Sequence, residues 1–361
     1  MTLVDCIPIG TNKFQSINDL IEFLEIEQIN QNLPRVLNIV GTVSTFNTIE
    51  DFIDSLQIDN FRIDKRYGNL LVISKSIKKE TIIYYVFFDA VNQMPLFITD
   101  AKKTDEIPNT LFHYINKTSR MGHLWITPKM MKEIKDEFTK KYGKILITYF
   151  SAQRSKNTDI FSELRPEFDR NFQYRGVDGS EPLEDLEKRY GVLPKILEVR
   201  LPNGVIFKID NKGVITHRGG EFEDIFNILN NVAKRDEPLR EAIQESDYIK
   251  SQNGINNKFN YAIQKPWSIN LSLGMTIDDI PIFGNSIQTP DWNFTILEKA
   301  VIKGSMLFSA RIIDNSTGSL IDISTTGKRM DIYPVKYPDI GTSMRFFHFI
   351  VENIDNTASI G

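Results

Sequence analysis

One order of elements is written twice in this chain. Ile82–Asn116 reads as strand, turn, strand, tight turn and helix (IIYYVFFD, AVNQM, PLFITD, AKKTDE, IPNTLFHYIN), and Val199–Val232 follows the same order (VRLPNGVIFKID, NKG, VITHRGG, EFEDIFNILNNV). Each copy supplies two apolar strands that need sheet partners and an amphipathic helix that needs a face to cover. The repetition therefore predicts a scaffold used twice, with a short loop presented at the same corner each time. YYVFF is a continuous apolar run rather than an alternating one, the pattern of a central strand covered on both faces.

The surrounding sequence fills in layers. Ser16 with Asp19, and Thr48 with Asp51, are capping devices ahead of the helical stripes Ile17, Leu20, Ile21, Leu24 and Phe52, Ile53, Leu56. Arg35–Val43 (RVLNIVGTV) is a β-branched strand between them. Residues 68–101 form a meander, with a Lys-Lys turn between its first two strands. A helix at Pro108–Lys117, a strand at His123–Thr127 and a helix opened by Pro128 and closed by Gly143 come next, before the strand KILITYFSA. Residues 153–182 are polar and punctuated by Gly and Pro, and read as a connector. A short helix at Glu184–Tyr190 precedes the second copy. Asp236–Gln264 starts helical and passes into the Asn-rich SQNGINNKFN. From Pro266 onward SINLSL, FTILEKAVI, SMLFSARII, SLIDIST and MRFFHFIV read as strands, with DNSTG (314–318) as a hairpin turn.

The expected architecture is thus α/β to α+β and multidomain. An α/β domain spans 1–152, a connector plus α+β unit 153–264, and an antiparallel β-rich module 265–361. A length of 361 residues suits two or three separate cores. Cys6 is the only cysteine, which excludes an intramolecular disulfide and a thiolate metal cluster. The longest apolar run, Ile82–Phe88, is far short of the roughly 20 residues that a membrane helix needs. The N-terminus lacks the basic start of a signal peptide, so the expectation is a cytoplasmic protein without a membrane partner.

Charge is unevenly distributed. Residues 1–60 carry nine acids and two bases, whereas 101–156 carry twelve bases and five acids. Phosphate binding follows local charge, so the middle of the chain is the candidate nucleic-acid surface. Its members are Lys129, Lys132, Lys135, Lys140, Lys141, Lys144, Arg154 and Lys156, with Trp125 and Tyr149 nearby as stacking or core residues. Glu133, Asp136 and Glu137 interrupt that field. His217-Arg218-Gly219-Gly220 offers a cation and backbone amides to a phosphate, or forms a tight turn.

One enzymatic arrangement competes with binding. Asp89 ends one strand of the first copy, and Asp100 and Lys102 follow the next as D-A-K. This spacing resembles that of metal-dependent nucleases of the restriction-endonuclease type, which implies Asp89 and Asp100 as Mg²⁺ ligands, Lys102 as the residue orienting the attacking water, and Glu50, Asp51 or Asp54 as a further acid. The alternative is that both aspartates serve turns and helix starts. His113, His123, His217 and His348 have no ligand spacing with one another or with Cys6, and no phosphate-loop, nucleophile-elbow or dinucleotide fingerprint is present.

The copies themselves carry a family likeness. NGVIFKIDNKGVITHRGGEFEDIFNIL and PLFITDAKKTDE resemble the half-repeat of the TATA-box-binding protein, in which two strands and a tight turn end in a corner before a long helix. The likeness covers about 35 residues in each copy. Neither copy has the paired intercalating phenylalanines of that family, so it implies the scaffold rather than DNA kinking. The expectation is a non-catalytic macromolecule-binding subunit or adaptor that needs no cofactor, with nucleic acid and other protein subunits as partners. A Mg²⁺-dependent nuclease and a protein-binding sensor component are the alternatives.

Overall fold

The computed structural model describes residues 14–77, 80–154, 160–246, 248–251, 261–302 and 307–361. The elements, in chain order, are α1 (Ile17–Ile29), β1 (Leu37–Ser44), α2 (Ile49–Ile58), β2 (Arg62–Tyr67), β3 (Leu70–Ile77), β4 (Glu80–Asp89), β5 (Met94–Thr99), a π-helical turn (Pro108–Phe112) running into α3 (His113–Lys117), β6 (Met121–His123), α4 (Pro128–Tyr142), β7 (Leu146–Arg154), β8 (Arg170–Arg175), α5 (Ser180–Tyr190), β9 (Leu193–Arg200), β10 (Ile206–Asp210), β11 (Val214–Gly219) and α6 (Glu223–Gln244). They are followed by β12 (Tyr248–Ser251), β13 (Tyr261–Gln264), β14 (Trp267–Asn270), α7 (Asp279–Ser286), β15 (Phe294–Ile302), β16 (Leu307–Asp314), β17 (Leu320–Thr325), β18 (Arg329–Pro334), α8 (Ile340–Asn353) and β19 (Ser359–Ile360).

Two compact units result. Of the described residues, the first holds those within 14–115, 123–154 and 160–235, and the second those within 116–122 and 236–361. The division does not fall at 152/153, because β7 crosses that point while paired with β8 on one side and β9 on the other.

In the first unit, ten strands follow the order β2-β3-β4-β5-β1-β11-β10-β9-β7-β8. The two copies flank β1. Both β5 and β11 pair with it antiparallel, and in the same register: Ile98 and Ile215 lie opposite Ile39, and Thr99 and Thr216 lie opposite Asn38. Asn38 ties the corners together, donating from Nδ2 to the Ala101 carbonyl at 2.9 Å and accepting from the Thr216 hydroxyl at 2.8 Å. A buried carboxamide that is bonded on both sides fixes register as well as stability, since a slip of one residue would leave it unsatisfied.

The copies differ in where their helices go. Phe52 of α2 packs on Phe88 and Phe97, Phe61 packs on Tyr84, and Tyr114 of α3 packs on Phe61. By strand alternation, Tyr84, Phe88 and Phe97 share the sheet face of Val40. The second copy uses the opposite face. A Cβ at Gly41 would meet Leu229 of α6 at 2.9 Å, and Phe138 of α4 packs on Phe207. Phe23 of α1 reaches Tyr85 on that same opposite face. Strands β1 and β5 are consequently buried at every residue, as the unbroken apolar run in β4 anticipates for the centre of this sheet.

The second unit contains the antiparallel sheet β15-β16-β17-β18-β14-β19 and the hairpin β12-β13. Phe283 of α7 and Phe346 and Phe349 of α8 pack with Trp292, Phe294 and Phe308. MRFFHFIV is therefore helix and not strand. Periodicity cannot separate a buried helix from a buried strand in so short an apolar run, and the deciding signal is Asp339, which caps α8 by accepting from the Thr342 amide at 2.9 Å. DNSTG forms the expected hairpin turn between β16 and β17, with Gly318 at φ +76°. Its Asp314 is fully buried, bonded to the Thr342 hydroxyl at 2.8 Å and paired with Arg345 at 2.9 Å.

Candidate functional site

The carboxylates of the nuclease arrangement are not brought together. Asp89 pairs with Met94 at the start of β5, whereas Asp100 follows its last residue, Thr99. Six strand steps separate the two, roughly 20 Å at about 3.3 Å per residue, too far for one ion. Asp89 is a turn residue: it accepts from the Val91 amide at 3.0 Å, the Asn92 amide at 3.3 Å and the Asn92 side chain at 2.6 Å. Asp100 is exposed, and Lys102 gives its amide to Glu106 at 2.6 Å in the turn before the π-helical segment. Among the described residues no group of three or more His, Cys, Asp or Glu side chains could hold a metal ion. Asp89 and D-A-K stand one strand length apart, at opposite ends of β5.

The basic set 129–156 is also redistributed by folding. Lys135 is buried and bonded to Glu187 at 3.0 Å, which Lys132 meets at 3.3 Å, because α5 packs beside α4. Lys141 pairs with Asp224 at 2.6 Å, and this hydrogen bond raises its pKa. Arg154 is buried and donates to the Ile160 carbonyl at 2.7 Å; burial, then the charge of Arg170, lowers its pKa. Lys129, Lys140 and Lys144 are exposed, and Lys156 lies outside the described residues. Trp125 is 3% exposed and belongs to the core.

His217 is part of the corner's structure. It is 4% exposed, packs at a tilt on Phe222 with 4.2 Å between ring centroids, and lies 3.0 Å through Nε2 from the Gly220 carbonyl. Burial pulls its pKa down to about 4. Gly220 is required there, since its φ is +84° and a Cβ would stand 2.4 Å from Val205 Cα. Arg218 points to the other face of the sheet and meets Glu198 at 3.1 Å.

That other face is where the exposed chemistry gathers. Register places Arg175 of β8, Tyr149 of β7, Glu198 of β9, Lys208 of β10, Thr216 of β11 and Asn38 of β1 in one row across six strands. The Lys208 ammonium lies 4.4 Å from the centre of the Tyr149 ring, and the Arg175 guanidinium lies 5.7 Å from it. Tyr149, Glu198 and Lys208 are half-buried, and Arg175, Arg200 and Arg218 are exposed. Burial lowers the Lys208 pKa, with a smaller contribution from the charge of Lys103, itself held on Asp210 at 2.6 Å. Neutral polar residues at Ser151, Gln153, Asn171 and Gln173 extend the surface.

Sequence reasoning finds Tyr149 and Arg218 and misses Arg175, Arg200 and Lys208. The signal for the missed residues is period-two alternation in NFQYR, LEVR and IFKID, weak in segments of four or five residues. Arg175 escapes because β8 lies within the stretch read as a connector.

Residues 129–212 match a family model described as a family middle domain. The match starts in α4, ends in the β10–β11 turn, and includes Tyr149, Arg175, Glu198, Arg200 and Lys208. The chain is also 28% identical over 360 residues to an uncharacterized protein of Archaeoglobus fulgidus, covering 97% of each chain. No helix among the described residues is long and apolar enough to cross a membrane.

Proposed function

We propose that this chain is a non-catalytic nucleic-acid-binding subunit that receives single-stranded nucleic acid on the open face of β11-β10-β9-β7-β8. The observation that carries this reading is Tyr149, a half-buried aromatic ring in contact with two cations in the middle of a polar sheet face. Base stacking on an aromatic ring, with arginine and lysine placed to follow the phosphates, is how sheet surfaces bind single strands. Arg175, Arg200, Lys208 and Arg218 outnumber Glu198 on this face, and Asp210 is occupied by its turn and by Lys103. The likeness to the TATA-box-binding-protein half-repeat supports a nucleic-acid role for the scaffold. Because the helices of the two copies lie on opposite faces, the contact lies on the second copy's side of β1, where β7 and β8 extend the sheet, and is not a saddle spanning both.

A fluorescence-anisotropy titration of a single-stranded oligonucleotide at several salt concentrations tests the reading. With four cations engaged, log affinity should fall against log salt with a slope of about −3. Tyr149→Ala should weaken binding by about 1–3 kcal/mol, the range for removing one stacked base contact. An oligonucleotide that fails to bind at low salt, or that binds Tyr149→Ala as well as the native chain, refutes the reading.

A further inference from the structure

At the end of β11 a cleft of about 690 Å³ opens between the segment after α1 and the His217–Phe222 corner. Its size lies in the range of small-molecule sites. Its described lining holds two guanidinium groups, Arg35 and Arg218, and no carboxylate. The nearby acids are each bonded to a residue of this lining: Glu25 accepts from the Phe222 amide at 3.4 Å, and Glu198 takes one nitrogen of Arg218. A guanidinium carries five N–H donors, so Arg218 can hold that carboxylate and an anion together. Beside these cations stand the half-buried apolar side chains of Leu33 and Pro34, whereas the Phe222 ring is fully buried against His217. The cleft also contains Gln28, whose Oε1 is buried without a hydrogen-bond partner. With that atom buried, one end of the carboxamide is left to the cleft, a donor or an acceptor according to how the amide is turned.

We infer that this cleft is a binding site for a mononucleotide-class ligand, with the phosphate on Arg35 and Arg218, the base against Leu33 and Pro34, and the base edge on the Gln28 carboxamide. Two arginines suit a phosphate bidentately, and an apolar wall adds affinity only if the anion carries a flat apolar body. The site is separate from the open face, with Arg218 alone reaching both.

Isothermal titration of the full chain with AMP, and in parallel with inorganic phosphate, tests the inference. AMP should bind at least about tenfold more tightly than phosphate, a difference of about 1.4 kcal/mol. Arg35→Ala should weaken AMP at least about tenfold. Gly219→Leu offers a second test, because a Cβ at Gly219 meets nothing within 4 Å and its backbone does not require glycine, so the new side chain fills the cleft of a folded protein. It should abolish AMP binding without changing the melting temperature. Tyr149→Ala should leave AMP binding unchanged while oligonucleotide affinity falls, so loss of the open-face reading and loss of this one are separable. The inference is overturned if AMP gives no heat, if phosphate binds as tightly as AMP, or if Arg35→Ala and Gly219→Leu bind AMP as the native chain does.

Discussion

The two strand arrays on either side of β1 are built from the same order of elements and end in different conditions. In the first, β4 and β5 are covered by α1 on one face and by α2 and α3 on the other, and β5 is buried throughout. In the second, α4 and α6 cover one face, and the opposite face leaves Tyr149, Glu198 and Lys208 half-buried. Local sequence order fixes the strand pair and its helix. The face that a helix covers depends on the connection that follows the corner and on the other helices competing for the same surface. Function collects where a sheet face stays open, since only there can a charged or aromatic side chain reach a ligand without the desolvation cost of burial.

The comparison is broken most forcefully in the doubly covered array. Phe97→Ala removes a fully buried ring in contact with Phe52 and Tyr84, and should cost about 3–5 kcal/mol in chemical denaturation. Tyr149→Ala should cost far less stability while removing nucleic-acid binding. If both variants lose equal stability, the open face is not open.

Acid provides the next largest effect. His217 has an ordinary pKa of 6.5 when unfolded and about 4 when folded, so the unfolded chain takes up its proton first as pH falls. Its contribution to stability is complete above pH 6.5 and is lost as pH falls from 6.5 toward 4, by roughly 3 kcal/mol over the whole interval. His217→Gln should flatten that part of the pH–stability curve of the first unit, and an unchanged curve removes His217 from the account. The second unit carries both signs. His348, with burial holding it down at about 3, acts in the same direction as His217. Burial lifts Asp339 to about 6, so its ionisation costs stability as pH rises from 4 to 6. Asp339→Asn should remove that loss.

Smaller changes sharpen the assignment of the carboxylates and cations. Asp89→Ala should lower stability by about 1 kcal/mol through loss of its turn bonds, with nucleic-acid binding unaltered. A loss of divalent-ion-dependent cleavage in that variant would restore the nuclease reading. Lys208→Ala should reduce the salt slope of oligonucleotide binding by about 0.7, the contribution of one phosphate contact to a single strand. Lys135→Ala, which removes a buried partner of Glu187, should change stability and leave the slope as it was.

Much of the fold is legible in the sequence because its signals are local. Ser16, Thr48 and Thr127 cap helices by accepting from amides three residues on, and Gly143 and Gly191 end helices at positive φ. The site is less legible because its residues come from five strands between Tyr149 and Arg218, and each strand contributes only one or two of them. Lys132, Lys135 and Lys141 form a basic run in sequence and a set of ion pairs in space, since Glu187 and Asp224 arrive from α5 and α6.

By itself, the sequence determined that one strand-turn-strand-helix unit occurs twice, that its central strands are buried and that its corners are tight turns. These follow from hydrophobic period, capping and turn chemistry, all effects of a few neighbouring residues. Only the tertiary structure decided that both copies take the same register on β1 around Asn38 and send their helices to opposite faces. It also decided that one array would keep an open row from Arg175 to Lys208. Those outcomes rest on contacts between residues far apart in the chain, 178 positions for Thr216 with Asn38, and no local pattern encodes them.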